Sequence, residues 1–313
     1  MTLPPSPTLF LSSRHLRDKA HKPRHRRNLP KELHVQLKLI FEVQMNNMKF
    51  LRYPGGKSKL LSFLINHLPG GKDIKGTYIE PFVGGGSIFF HMNPEKALIS
   101  DLNLELITLY KGIKLYPHKV WETFESFPSG KSSYYKVRDK STKGKPLYFR
   151  AARTLYLNRT CFKGMWRHNN NGNFNVGYGG EERRWVVTHE SIIELSKIFR
   201  KAEIHSNDFE EVILNASKND FIFLDPPYKP GEKDLHELHY CNGKFLFDEQ
   251  IRLAETLKNL PKSKRIRWAM TNSSHKDILK LYKGFKVKKI PFGTGDKPGI
   301  QTKNSNEVLI TNY

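Results

Sequence analysis

Residues Asn219 to Gly231 read NDFIFLDPPYKPG. The apolar run Phe221 to Leu224 has the character of a buried strand, yet it delivers a carboxylate, Asp225, then two prolines and Tyr228. Chemically this is a rigid acceptor group. The Asp225 carboxylate and the Pro226 carbonyl both accept hydrogen bonds, and consecutive prolines fix φ and hold the preceding residues extended. The Tyr228 ring offers a flat face for stacking. A substrate with two hydrogens on one nitrogen and a planar ring fits these groups, and the exocyclic amine of a nucleobase is such a substrate. Two acceptors on its hydrogens favour a tetrahedral nitrogen with an exposed lone pair. The same residues also suit a plain strand-ending turn, because Asp and Pro are turn formers.

Two further groups suggest a cofactor. The segment EPFVGGG (80–86) lies between an expected strand and an expected helix, where glycines allow φ > 0 and close approach of a ligand. Asp101 follows at the end of the next strand, placed to accept from ribose hydroxyls or to cap a helix beginning at Leu102. GGKS at 55–58 is not a phosphate loop, because the glycine required five residues before Gly56 is Leu51. Tyr53 and Lys57 are four apart and would share a face if the segment were helical.

These groups need a scaffold. TYIEPF (strand), VGGGS (turn), SIFFHM (helix) and KALISD (strand) form a unit typical of an open α/β sheet. After a polar, aromatic-rich stretch come KAEIHSND (strand), FEEVILNA (helix), NDFIFLD (strand), a helix over 248–260, and the strands RIRWAMTN, KVKKIPF and EVLITNY. The last two are expected to pair as a hairpin across GTGDKPG. No internal repeat is evident.

The 313 residues carry a net charge of +23 with a pI near 9.8, an excess that points to a polyanionic partner, nucleic acid first. No run reaches the ~18 apolar residues of a membrane span. Only Cys161 and Cys241 are present, without metal or disulfide spacing, which suggests a reducing cytosolic setting. Residues 1–47 hold nine Lys/Arg against three Asp/Glu and are expected to be a disordered basic arm. Translation from Met45 or Met48 would omit it, and a transit-like peptide is a second reading. Residues 48–313 alone carry 44 Lys/Arg against 27 Asp/Glu, so the basic excess does not depend on the arm.

Four blocks, FLRYPGGKSKLL (50–61), YIEPFVGGGSIFF (78–90), LNRTCFKGMWRHNNNGNFNVGYG (157–179) and FLDPPY (223–228), resemble in content and order the Dam-like, D12-class N6-adenine DNA methyltransferases. The resemblance spans most of 48–313. It implies the S-adenosylmethionine-dependent methyltransferase fold: a mostly parallel seven-stranded sheet with a C-terminal antiparallel hairpin and an inserted helical and β-hairpin DNA-recognition domain. On this resemblance 48–111 and 191–313 are the catalytic domain and 112–190 the target-recognition insertion.

By position, the resemblance implies that Tyr53, Lys57, Asp101, Asp208, Phe209 and Asp225 contact S-adenosylmethionine, and that Asp225, Pro226 and Tyr228 hold the target adenine. It implies DNA contacts from Arg52, Phe162, Met165 and Arg167, with GATC as the first-choice target. Two departures bear on the target: Gly177 stands where the family has proline, and Lys163 where asparagine is common. The insertion's Lys131, Lys136, Arg138, Lys143, Lys145, Arg150 and Arg153 are expected to meet phosphates. The implied partner is double-stranded DNA, with no metal and no membrane, and the chain is expected to act as a monomer. A restriction endonuclease of the same site is one partner such an enzyme can have. The competing readings are an RNA or N4-cytosine methyltransferase and a non-catalytic DNA-binding protein of the same fold.

Overall fold

A computed structural model describes residues 50–53, 56–57, 60–169, 172–228, 245–294, 301–302 and 305–313. The expected basic arm, Cys241 and most of the GTGDKPG loop lie outside them. The strands are β1 (Tyr78–Glu80), β2 (Ala97–Ser100), β3 (Ala202–His205), β4 (Phe221–Leu224), β5 (Arg267–Ser273), β6 (Lys286–Lys289), β7 (Gly293–Thr294), β8 (Gln301–Thr302) and β9 (Glu307–Thr311). Seven of them form one sheet in the order β3-β2-β1-β4-β5-β9-β6. β3 through β5 pair in parallel, and β9 is antiparallel to both β5 and β6. The expected C-terminal pairing is therefore present, and β7 and β8 form a further two-stranded ladder between its strands.

The order of the chain through this sheet fixes where a ligand can go. From β1 the chain moves outward to β2 and β3, then returns to β4 on the other side of β1. The reversal opens a crevice at the carboxyl ends of β1 and β4, the usual ligand position in open α/β sheets. Strand β4 is buried throughout, as a central parallel strand should be. Its alternation divides it between two cores: Phe221 and Phe223 join one face, Ile222 and Leu224 the other. At ~1.5–3 kcal/mol for each large apolar side chain buried, a slip of one residue would misplace all four. Asp225 is thus fixed just past the strand's end.

The helices are α1 (Leu61–Leu64), α2 (Ser87–Met92), α3 (Leu104–Leu115), α4 (Pro117–Ser126), α5 (Lys131–Asp139), α6 (Leu147–Thr160), α7 (His189–Arg200), α8 (Phe209–Leu214), α9 (Phe247–Lys258) and α10 (Lys276–Leu281). None among the described residues is long and apolar enough to cross a membrane. α3 packs on α6 and α7, and α4 on α6. The α3–α6 crossing is close, because a Cβ on Gly112 would stand 2.3 Å from Ala151 Cβ. Side chains of α4, α6 and α7 share a core with Phe221 and Phe223 of the sheet.

Three arginines of the polar stretch bond within the protein. Arg153, expected at the phosphates, is buried, and its guanidinium donates to the carbonyls of Val137 and Arg138. That corrects the sequence reading: burial and carbonyl partners take Arg153 out of solvent. Arg138 is half-buried and donates to Asp139 and to the Val176 carbonyl. Arg184 is wholly buried, donates to the carbonyls of Phe124 (2.8 Å), Glu125 (3.2 Å) and Phe127 (2.5 Å), and packs against the rings of Phe124, Tyr156 and Trp185. It closes the end of α4. Arg184→Ala would leave these carbonyls without their donor and should lower stability by about 2–4 kcal/mol. A urea denaturation midpoint unchanged in the variant would contradict this.

Candidate active site

Asp225 is held from two directions. Strand β5 places Met270 beside Leu224, so Thr271 follows beside Asp225. Its hydroxyl donates to Asp225 Oδ1 at 2.7 Å, and Lys57 Nζ donates to the same oxygen at 2.9 Å. The Lys57 ammonium also lies 4.8 Å from the centre of the Tyr228 ring. Tyr228 donates its hydroxyl to Glu307 Oε1 at 2.7 Å, and Glu307 Oε1 stands 3.9 Å from Lys57 Nζ. Burial, with the Asp225 and Glu307 carboxylates nearby, pushes the Tyr228 phenol well above its usual range, so the ring stays neutral. The Pro227 carbonyl accepts from Gln250 at 3.1 Å, and Gln250 in turn accepts from Asn272 at 3.0 Å. The two prolines are therefore stiff by covalent geometry and also tied to α9 and β5.

The glycine turn forms the other half of the site. Gly84 (φ 44°) and Gly86 (φ 71°) adopt left-handed backbone between β1 and α2. Asp101, just past β2, clamps the turn: Oδ2 accepts from the Gly84 N–H at 2.9 Å and Oδ1 from the Asn103 N–H at 2.9 Å. The Tyr110 hydroxyl donates to the Gly84 carbonyl. Helix α3 begins at Leu104 and its cap is Asn103, so Asp101 is not the cap of a helix starting at Leu102. Burial pushes the Asp101 carboxyl up, against the pull of the two N–H donors. Each carboxylate oxygen keeps a further acceptor site. Asn103 Nδ2 is buried and makes no hydrogen bond among the described residues. Glu80, ending β1, accepts from the Tyr78 hydroxyl at 2.6 Å, and its carboxyl is raised well above the usual range, by burial first and by Asp225 and Asp101 as well.

Asp208 caps α8 through the Glu210 N–H, and both of its oxygens pair with Arg252, at 2.7 and 2.9 Å. Hydrogen bonding to Arg252 lowers its carboxyl pKa. The Arg252 guanidinium sits 4.0 Å over the Phe209 ring, which also meets Phe82 and Phe245.

The glycine turn, Asp101, Asp208 and the Asp225-to-Tyr228 acceptors line one cleft of about 220 Å³. It brings together Tyr53, Lys57, Asp101, Asp208, Phe209, Asp225, Pro226 and Tyr228, every residue expected at the cofactor or the amine. Tyr53 lies across the glycine turn, its Cβ 3.0 Å from where a Cβ on Gly85 would stand. It and Lys57 share the cleft without sharing a helix, since Tyr53 is irregular and α1 starts only at Leu61.

The expected DNA residues lie outside the cleft lining. Arg52 exchanges backbone bonds with the Asn158 amide (2.9 and 2.7 Å), and its side chain packs where a Cβ on Gly164 would fall. Phe162 is 49% exposed, Met165 half-buried, and Arg167 exposed, donating to Asn175 at 2.9 Å. Their segment adjoins the cleft through Trp166, whose ring centre is 5.6 Å from that of Tyr53. Among the described residues the hairpin shows the isolated bridges Cys161–Tyr178 and His168–Phe174.

Sequence reasoning passed over Glu80, Asn103, Gln250, Thr271 and Glu307. For Glu80 a signal existed, as it opens the glycine motif. Glu307 and Thr271 lie 46 and more residues from Asp225 in sequence, and no local pattern joins them to it.

The chain belongs to the D12 class N6 adenine-specific DNA methyltransferase family, which it matches over residues 53–291. It is 34% identical over 292 residues to "Type II methyltransferase M.MjaIII" of Methanocaldococcus jannaschii, covering 84% of this chain and 98% of that one. It is 32% identical to "Type II methyltransferase M1.LlaDCHI" of Lactococcus lactis subsp. cremoris, covering 88% and 99%. It is 29% identical to "DNA adenine methylase" of Vibrio cholerae, covering 75% and 84%. The family implies S-adenosylmethionine as methyl donor and duplex DNA as substrate.

The turn tolerates little change. A Cβ on Gly86 would stand 2.6 Å from the Phe90 ring, on backbone that disfavours side chains. Gly86→Ala should cost about 2 kcal/mol or more, from φ strain plus overpacking. A thermal melt matching the parent would show that the turn relaxes instead.

Proposed function

We propose that the chain transfers the methyl group of S-adenosylmethionine to N6 of a flipped-out adenine at a specific site in duplex DNA. The observation that carries this reading is the convergence, in one cleft at the reversal of the sheet, of the Asp101-clamped glycine turn and the Asp225-Pro226-Pro227-Tyr228 acceptors. The cleft residues fit the cofactor. The glycine turn is a cradle that side chains would fill, the Asp101 carboxylate has acceptor capacity for hydroxyls, and the buried Asn103 amide offers a donor. In this reading Tyr53, Lys57, Asp101, Asp208, Phe209 and Asp225 hold the cofactor, which supplies an electrophilic methyl on a sulfonium.

The chain's own residues do the rest. An adenine inside a duplex is out of reach, and extruding it costs a few kcal/mol. Tyr228, neutral and fixed by its hydroxyl, stacks on the extruded ring. Asp225 and the Pro226 carbonyl accept from the two N6 hydrogens, which turns the nitrogen lone pair toward the methyl. Among the described residues both bonds to Asp225 fall on Oδ1, which leaves Oδ2 for the amine. Much of the rate then comes from positioning. The N6–methyl bond would form as the methyl leaves sulfur, which departs as a neutral thioether, and the proton that N6 then sheds would pass to Asp225 Oδ2. The attack is direct, with no covalent enzyme intermediate. Cys161 supports this, because it is buried, bonded to the Asn158 and Met165 carbonyls, and its thiol is pushed up to about 11.

Residues 48–111 and 191–313 carry this chemistry, and 112–190 read the target. Arg52, Phe162, Met165 and Arg167 contact DNA, with GATC the first-choice site, and the enzyme acts alone or beside a restriction endonuclease. Lys131, Lys136, Lys143, Lys145 and Arg150 are exposed and meet phosphates. If all five do so, affinity should fall roughly 10²- to 10³-fold between 50 and 200 mM salt. Binding indifferent to salt over that range would remove them from the interface.

Expression in a methylation-free host followed by single-molecule sequencing tests the activity itself. N6-methyladenine in one sequence context is the expected result. N4-methylcytosine would support the nearest rival reading, and unmodified DNA would support a non-catalytic binder. Asp225→Ala should abolish methylation while leaving the fold intact, with a lowered melting temperature because the Lys57 ammonium loses its closest counter-charge, and Tyr228→Ala should be milder than Tyr228→Asp. Near-normal turnover by Asp225→Ala would defeat the assignment.

A further inference from the structure

We propose that Glu307 is a positioning residue for methyl transfer, acting through Tyr228 and Lys57. The inference rests on the reading of Tyr228 as the platform for the target base. Glu307 opens β9, the last strand in the chain, and its carboxylate lies behind two residues that line the cleft, Tyr228 and Lys57. It is 2% exposed. Its backbone is fixed on both sides: it pairs with Ser273 of β5, and its carbonyl accepts from the Ile290 N–H at 3.0 Å. The Ser305 hydroxyl accepts its N–H at 3.3 Å. A carboxylate on so constrained a backbone is a fixed reference point.

Its two partners are the two groups that face the acceptor site. Oε1 takes the Tyr228 hydroxyl at 2.7 Å and stands 3.9 Å from Lys57 Nζ, which itself bonds Asp225 Oδ1. Without Glu307 the Tyr228 ring loses the acceptor that fixes its hydroxyl end. Lys57 would lose one of the two carboxylates near its ammonium. Oε2 is buried with no hydrogen-bond partner among the described residues, a costly state in a residue serving structure only. A side chain placed merely to stabilise the β5–β9 pair would be better replaced by an apolar one, as at Val308, Leu309 and Ile310.

The test is a kinetic cycle on the full chain, using unmethylated genomic DNA and radiolabelled S-adenosylmethionine, with Tyr228→Phe, Glu307→Ala, their double variant and Glu307→Gln. Glu307→Ala and Tyr228→Phe should each lower kcat by about tenfold or more, with KM for S-adenosylmethionine little changed, because the loss is one of orientation. The double variant should be no worse than Glu307→Ala, since both break the same contact. Glu307→Gln keeps an acceptor for the hydroxyl and should recover most of kcat. Multiplying losses in the double variant, or a Gln variant as impaired as the Ala variant, would overturn the role. If Glu307→Ala does not fold, Tyr228→Phe decides, and full kcat in that variant refutes the proposal. A wild-type chain without turnover would instead sink the methyltransfer reading, and the role with it.

Discussion

The contact on which the site depends is the one between Lys57 and Asp225, 2.9 Å apart, with side chains 10% and 20% exposed. Withdrawing two charges from water costs several kcal/mol each, and their attraction returns this only when the remaining hydrogen-bonding capacity is met. Thr271 meets part of it at Asp225, and Glu307 supplies a second carboxylate near Lys57. As a source of stability such a pair is poor. As a way to fix the direction of one carboxylate oxygen it is effective, because the two donors converge on Oδ1 from different parts of the chain. The segment before α1, β4, β5 and β9 are joined at this point, so the N-terminal block and the last strand are both parts of one centre.

The sheet explains why those four segments can meet. β1 and β4 lie side by side because the chain reverses direction of travel between them, and the crevice follows from that reversal. β5 then sets Thr271 by register with β4. β9, running the opposite way, begins where β5 ends, so its first residue and not its last lies at the sheet edge that carries Tyr228 and Lys57. In a parallel position β9 would bring its carboxyl end, near Thr311, to that edge. The antiparallel strand is therefore what admits Glu307.

How far the sequence revealed this depended on how local each signal was. The strand–turn–helix unit around EPFVGGG, the buried strand before Asp225 and the C-terminal pairing all follow from short-range patterns of apolar residues, glycines and prolines, and the structure shows them. Asp101 and Asp225 were readable because each ends a strand, where a carboxylate has reason to be noticed. Thr271, Gln250 and Glu307 were not, since their roles arise from register and crossing of strands distant in sequence. Arg153 was misread for a related reason. Composition marks a basic residue as a phosphate contact, and only packing reveals that its guanidinium is spent on the Val137 and Arg138 carbonyls.

Charge is divided between the outside and the inside of this molecule. The chain as a whole carries +23, yet the cleft draws together the carboxyls of Glu80, Asp101, Asp208 and Asp225, with Glu307 behind Tyr228. Burial raises the carboxyls of both Glu80 and Asp101, and neighbouring carboxyls add to the shift at Glu80, so this setting disfavours their charged forms. A cation entering the cleft would favour those forms and be favoured by them in return. A polyanion approaching from outside meets the opposite field on the exposed lysines. On the proposed reaction this division has a use: the methyl donor carries its positive charge at the reacting sulfur, whereas DNA carries its negative charge at the backbone. The extruded base, neutral itself, is the one part of either substrate that has to pass between the two fields. The neutral Tyr228 ring, held between Lys57 and Glu307, stands where that base would be received.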